Sequence, residues 1–377
     1  MTVTQPVVPI RYHYMDAMRS ILMMLGIVLH SAQLYNPRTA WVMKAPQVSD
    51  FFAGLVAIVS IFRMPVFFMV SGFFCLMTLQ KYGSGKFLNV RLRRIVLPMI
   101  VVGCTFNLFQ TFILSEYKNT PFTLQDYWSG TKWLGHMWFL LYLTLYFMFV
   151  AFVASFFYRI KVISALAVWL LDRLEQLPLL LLIFLLGFSG PFIQLLVKFF
   201  PFSDDFHGLL YWSDVLYYFQ FFLLGIVFYN RKTLLARFTN FPLSATLVIC
   251  VILGFSKWLL SAGIVVLRGK LGKVIDSYLL NILSLVAGAV CFHLFYRFGN
   301  YGSKLFNYLS DAAYSVYLVH HLLVVIIGIA IVKIGFSVWA GYTMLLVSVA
   351  VFAIGFHEMV RRFIVLRLLF NGRLSKS

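Results

Sequence analysis

Residues 15–35 read MDAMRSILMMLGIVLHSAQLY, a stretch that is apolar almost throughout once Asp16 and Arg19 are passed. About 20 such residues are enough for a helix to cross the hydrocarbon core of a bilayer. The same ruler laid along the chain finds ten candidate spans, at roughly 14–35, 51–79, 95–115, 134–157, 178–199, 210–229, 242–266, 277–296, 311–334 and 338–360. The apolar runs are continuous rather than alternating, so they predict helices and not a transmembrane barrel. Residues 162–171 are apolar but too short to cross, and read as an interfacial helix or an extension of a neighbour. The composition agrees: 62% of the 377 residues are hydrophobic, 11% are charged and the mean hydropathy is +0.91. A soluble domain carries about a quarter charged residues. The expected fold class is therefore all-α, a polytopic membrane helical bundle of about ten transmembrane helices. Residues 1–377 form a single integral-membrane domain in this reading, because no linker or second domain interrupts the series.

The charge is basic, at +19. In a soluble chain that would point to nucleic acid, but here the bases lie in short loops between apolar runs, so membrane orientation explains them and no nucleic-acid partner is expected. Nineteen Lys and Arg residues fall on one side, among them Arg11, Arg91, Arg93, Arg94, Arg159, Arg231, Lys232, Arg373 and Lys376. Nine, including Arg38, Lys44 and Arg268, fall on the other. The positive-inside bias places both termini in the cytoplasm. No cleavable signal peptide is visible, since the first apolar run follows Arg11, Asp16 and Arg19 and lacks a small-residue cleavage site after it. The four cysteines, Cys75, Cys104, Cys250 and Cys291, sit in apolar runs without metal or disulfide spacing.

Ionisable groups inside spans are costly and are read first as functional. Arg19 and His30 are eleven residues apart, which puts them on one helix face ~16 Å apart along the axis. Asp16, three residues before Arg19, can pair with it. The second span contains SIFRMPVFFMVSGFF (60–74), where Arg63 lies deep beside Pro65 and needs an anionic partner, a carboxylate or a bound phosphate. Pro65 frees a backbone carbonyl, and Ser71-Gly72 lets a helix or ligand approach closely. VRLRRIVLP (90–98) places Arg91 and Arg94 one turn apart at the basic end of the third span. HMWFLLYL (136–143) opens the fourth span with His136 and Trp138, and YSVYLVHHLL (314–323) supplies Tyr317, His320 and His321. His320-His321 lacks the further ligands of a zinc site, so no metal is expected. The last span ends in HEMVRR, with Glu358 the acid nearest a span at that end.

Taken in order, these motifs resemble the membrane acyltransferase-3 family. The likeness also takes in YYFQFFLLGIVFY (217–229) and HEMVRRFIVLRLLFNGR (357–373), and so covers nearly the whole chain. Within the family it is strongest to the branch that succinylates osmoregulated periplasmic glucans. Each motif alone is soft, but their order is specific. One departure is a longer segment between His30 and Arg91 than in many O-acetyltransferases of the family, which argues against importing their substrate preferences.

The resemblance implies acyl transfer in the bacterial inner membrane, from cytoplasmic succinyl-CoA to a glucose hydroxyl of a periplasmic glucan. Arg19 and His30 fall on the family's R-x10-H positions, and Arg91 and Arg94 on its paired arginines. The donor is a substrate, and no permanently bound cofactor is implied. In the resulting scheme the CoA phosphates dock on the basic cluster, the pantetheine arm runs along span one, and His30 is the general base. Asp16 is ~21 Å from His30 and cannot orient its ring, which leaves Glu358 as the candidate from another helix. Arg63 or Ser71-Gly72 would hold the thioester oxygen or the acyl carboxylate, and His136, Trp138, Tyr317 and His320 complete the substrate-binding set. Direct transfer and an acyl-histidine intermediate are both open, as are monomer and homo-oligomer. An acetyl donor with another envelope glycan, and a glycan transporter without chemistry, are the competing readings.

Overall fold

A computed structural model describes residues 12–156, 161–199, 204–267 and 269–373. Arg11, Arg159, Arg268 and Lys376, which enter the charge count above, lie outside the described residues. The helices are α1 (His13–Gln33), α2 (Asp50–Tyr82), α3 (Ser84–Cys104), α4 (Phe106–Lys118), α5 (Leu124–Ser129), α6 (Trp138–Phe156), α7 (Lys161–Gln176) and α8 (Leu179–Gly187). They continue with α9 (Ser189–Phe199), α10 (Trp212–Asn230), α11 (Lys232–Thr239), α12 (Leu243–Ser261), α13 (Gly269–Gly299), α14 (Lys304–Ile334), α15 (Val338–Arg362) and α16 (Ile364–Asn371). A 3₁₀ turn at Gly135–Met137 leads into α6, and a two-residue hairpin, Asp205–Phe206 against Leu210–Tyr211, precedes α10.

Among the described residues, ten helical stretches are long and apolar enough to cross a membrane, and each falls on one of the ten spans expected from the sequence. The protein is an all-α, multi-pass membrane bundle. Two spans are broken. Ser84–Lys118 divides into α3 and α4 at Thr105, and Leu179–Phe199 into α8 and α9 at Phe188. A break inside a membrane exposes carbonyls that need partners. Asn281 of α13 supplies them at the second break, its amide donating to the carbonyls of Leu186 (2.8 Å) and Gly187 (3.3 Å) and to Ser189 Oγ (2.8 Å). At the first break, Tyr127 donates its hydroxyl to the Gly103 carbonyl.

Residues 162–171 fall in α7, a separate helix of 16 residues. Arg231 reaches Asp172 (2.5 Å), and Arg237 donates to the carbonyls of Glu175 and Leu177 (2.5 Å each). Several basic segments that the charge count puts on one side meet in space. Lys232 lies over the rings of Tyr12, Phe73 and Tyr229, Arg373 approaches Asp311, and Gly372 packs against the backbone of Arg93 and Arg94. This end of the bundle is the basic face.

The centre is α1, which packs on α2, α13, α14 and α15 and buries Met15, Ala17, Met18 and Leu22 completely or nearly so. The most extensive interface joins α2 to α10. There Gly72 faces the Phe222 carbonyl and Gly225 faces the Met69 carbonyl, each so closely that a β-carbon would collide with backbone. The Ser71-Gly72 pair is thus divided in use: Gly72 seats a helix, while Ser71 faces a cavity.

Candidate active site

A cavity of about 200 Å³ opens near the basic face between α1, α2, α3, α6 and α14. Arg19, Arg91, Arg94 and Arg373 line it together with Ser71, Ser310, Asp311 and Asn371. Arg19 donates to Ser310 Oγ (3.0 Å) and pairs with Asp16 (3.4 Å). Arg91 donates to Thr78 Oγ1 (3.0 Å) and lies over the rings of Phe87 and Phe147. Arg373 arrives from the end of α16, where Gly372 adopts a positive φ of 62° that allows the chain to lie against Arg93 and Arg94. Four guanidinium groups around one cavity make a site for a polyanion, since their planar forks match phosphate oxygens.

Further along α1, toward the opposite face, a second group of polar side chains is buried in the bundle. Its ring centroids lie 4.9 Å (His30 to His321), 5.3 Å (His30 to His320), 5.3 Å (His136 to His320) and 4.8 Å (His136 to His321) apart. His136 is aimed here by a chain of local causes. Asn107 of α4 donates to the carbonyls of Trp133 (2.8 Å) and Leu134 (3.2 Å), and Gly135 then turns with a φ of 48° against the Asn107 amide. Trp41 covers the group from the loop after α1, 6.3 Å from His30 and 5.7 Å from His321.

Hydrogen bonds set the tautomers of three of these rings. His320 Nδ1–H (2.6 Å) and His136 Nε2–H (3.3 Å) both donate to the Tyr317 carbonyl, while the Tyr317 hydroxyl donates to the His136 carbonyl (2.8 Å). His321 Nδ1–H donates to Gln110 Oε1 (2.7 Å). Each neutral ring keeps its other nitrogen as an acceptor. His30 Nδ1, His136 Nδ1 and His320 Nε2 are buried without a protein partner among the described residues. Among the described residues no group of His, Cys, Asp or Glu is arranged to hold a metal ion. Arg63 joins from α2, 9% exposed, with Nε donating to the Leu22 carbonyl (3.1 Å).

An aromatic layer separates the two sites. Phe67 and Phe139, which line the cavity, pack edge to face at 5.1 Å, and Phe139 packs on Tyr317 at 4.9 Å. The axis of α1 passes beside both sites, carrying Arg19 in one and His30 in the other, ~16 Å apart.

The model of the acyltransferase-3 family, described as an acyltransferase domain, matches residues 12–358. The chain belongs to that family. Acyltransferase-3 relatives include the glucans biosynthesis protein C of Shigella dysenteriae serotype 1, 26% identical over 98% of this chain and 96% of its own length. The protein of the same name from Escherichia coli strain SMS-3-5 is also 26% identical, over 98% of this chain and 96% of its own length. No solved structure matches the chain.

Within this membrane acyltransferase, the residues singled out by sequence fall into three sets. Arg19, Ser71, Arg91 and Arg94 line the basic cavity, with Asp16 at its edge on Arg19. His30, Arg63, His136, Tyr317 and His320 meet in the buried cluster. Trp138 and Glu358 join neither. The Trp138 ring packs on Tyr142 (5.1 Å) and Tyr218 (5.4 Å). Glu358 accepts from the Tyr308 hydroxyl (2.9 Å) and pairs with Arg361 (3.4 Å). Tyr308 precedes His320 on α14 by twelve residues, ~18 Å of helix, so Glu358 does not orient His30.

The neighbours of His30 are instead His320 and His321, with Gln110 behind His321. His321 stands beside His320 in sequence, and Gln110 is a polar residue within an apolar run, so both left a trace there. Trp41, in a polar loop, and Arg373, in the basic tail, left none that separates them from their surroundings.

Proposed function

We propose that this acyltransferase moves a succinyl group from succinyl-CoA, bound at the basic face, to glucose hydroxyls of osmoregulated periplasmic glucans at the opposite face. The basic face then lies in the cytoplasm of a bacterium, with both termini there, and the chain sits in the inner membrane. One observation carries the reading: an arginine-lined cavity and a cluster of unpartnered imidazole acceptors lie along the same helix, divided by a thin aromatic layer. The relatives' name, with its reference to glucans, supports the acceptor class.

Arg91, Arg94 and Arg373 would hold the CoA phosphates by charge-assisted bonds. The pantetheine arm then threads along α1, and the Phe67, Phe139 and Tyr317 rings part to admit it. A sugar presents hydroxyl donors, which is what the bare nitrogens of His30, His136 and His320 lack. His30 takes the proton of the attacking hydroxyl. The hydroxyl oxygen bonds to the thioester carbon, the C–S bond breaks, and the proton passes from the imidazolium to the departing CoA thiolate. The products are the glucan ester and free CoA.

Mass spectrometry of periplasmic glucans from a strain lacking the protein tests this. Loss of a succinyl mass increment, restored by the wild-type chain, is expected. Loss of an acetyl increment would reassign the donor, and unchanged glucans would overturn the proposal.

A further inference from the structure

Arg63 lies deep in a span, where a guanidinium requires an anion or strong acceptors around it. Its Nε is spent on the Leu22 carbonyl, and among the described residues no carboxylate pairs with it. Asp16 and Asp311, on the neighbouring helices α1 and α14, are engaged at the basic face with Arg19 and with Arg373 and His357. The groups beside Arg63 are imidazoles of the cluster and the phenols of Tyr317 and Tyr218. A β-carbon placed on Gly26 would stand 3.0 Å from Arg63 Nη2 and 3.3 Å from His320 Nε2, so the absence of a side chain there lets the guanidinium and an unpartnered acceptor come together against α1. The cluster thus holds a buried cation, bare acceptors and no countercharge from the described residues.

We propose that Arg63 receives the free carboxylate of the acyl group, which makes it the residue that selects a dicarboxylic half-thioester such as succinyl over acetyl. The inference rests on the acyl-CoA reading given above. Its dimensions agree. Gly26, which marks Arg63 on α1, is four residues before His30, ~6 Å along the helix. The carbonyl and carboxylate carbons of a succinyl group are about 4 Å apart by ordinary bond lengths. A hydrogen bond adds about 3 Å. A thioester carbon beside His30 and a carboxylate on Arg63 therefore fit one acyl group curled next to α1. An acetyl group has nothing to offer the guanidinium and leaves it uncompensated. The fork geometry of Arg suits a carboxylate better than the point charge of Lys.

The test compares kcat/KM for succinyl-CoA and acetyl-CoA, using purified full-length protein in nanodiscs with a glucan acceptor. Arg63→Gln is expected to lower the succinyl-CoA value by about tenfold to hundredfold, the range for losing hydrogen bonds to a charged group. The acetyl-CoA value should fall by less than the succinyl-CoA value, so the preference for succinyl-CoA collapses. Arg63→Lys and Gly26→Ala, which keep the cation and stand in if Arg63→Gln fails to insert, should each erode the preference in the same direction. Equal losses with both donors in these variants would overturn the inference while leaving the succinyl reading intact. A wild-type protein that uses acetyl-CoA alone would instead overturn the succinyl reading, and the role of Arg63 with it.

Discussion

The imidazole of His136 lies flat against that of His321, with centroids 4.8 Å apart and planes 4° from parallel. Two spans far apart in the chain therefore fix each other's rings beside His30. Behind the stack, Gln110 accepts the His321 Nδ1 proton and so directs an acceptor nitrogen into the cluster. Gln110 is a positioning residue. Gln110→Leu should lower kcat by about tenfold, less than the hundredfold or more that a general base itself supplies, with little change in the KM for the CoA donor. Gln110→Glu keeps the acceptor and should recover most of the rate. If Gln110→Leu left kcat unchanged, the His321 tautomer would have no bearing on turnover.

His30 itself is expected to be indispensable. In protein that elutes as a single species from size exclusion, His30→Ala should reduce transfer by at least about a hundredfold, the low end of what a general base contributes. Near-normal transfer would remove His30 as the base. Glu358→Gln, by contrast, should leave kcat within a few-fold of wild type, because its partners are Tyr308 and Arg361.

The basic cavity predicts a different kinetic signature. Arg94→Ala and Arg373→Ala should each raise the donor KM by about tenfold to hundredfold, the value of hydrogen bonds made to a charged group. The kcat should change little, because these side chains line the basic cavity, across the aromatic layer from the histidine cluster. An Arg373→Ala protein with an unaltered donor KM would show that the α16 end is not part of the donor site.

All ten spans could be read from the sequence because the membrane asks for one thing, about 20 apolar residues in a row, and the chain supplies it ten times over. The two polar sites were legible for a related reason. Arg19, His30, Arg63 and His136 are expensive in lipid, so each stands out from its run. The sequence does not show which of these side chains meet. Helix periodicity places Arg19 and His30 on one face of α1, but it says nothing of the break at Thr105 that turns α4 so that Asn107 and Gln110 reach the cluster. Glu358 was a reasonable partner for His30 by elimination of other acids. The actual neighbours are imidazoles, and no rule of charge pairing finds those. Arg373 was hidden among the basic residues of the tail, and only the turn at Gly372 brings it into the cavity.

The α2–α10 crossing should be intolerant of any added volume. Gly72 and Gly225 face one another's helices across backbone carbonyls, the close approach that small residues permit in membranes. Gly72→Ala or Gly225→Ala should destabilise the protein by about 1–3 kcal/mol through overpacking. Unfolding in mixed detergent micelles would measure it. A stability equal to wild type for both variants would mean that the two helices slide apart at no cost.

The second broken span yields a prediction that separates stability from catalysis. Asn281 is fully buried and holds the carbonyls of Leu186 and Gly187 where α8 gives way to α9, while Gln220 Nε2 donates to its Oδ1 (3.0 Å). Asn281→Leu is close to isosteric but removes both the donor and the acceptor. Carbonyls left unpaired in an apolar interior cost about 1–3 kcal/mol, so unfolding in mixed micelles should shift by that amount. Asn281 does not line the basic cavity, and neither Ser189 nor Gln220, its side-chain partners, does so. The kcat and donor KM of the protein that remains folded should therefore match the wild type within a factor of about two. A variant with normal stability would show that the break finds other partners. A variant with normal stability but impaired turnover would place the α8–α9 break in the catalytic cycle rather than in the scaffold.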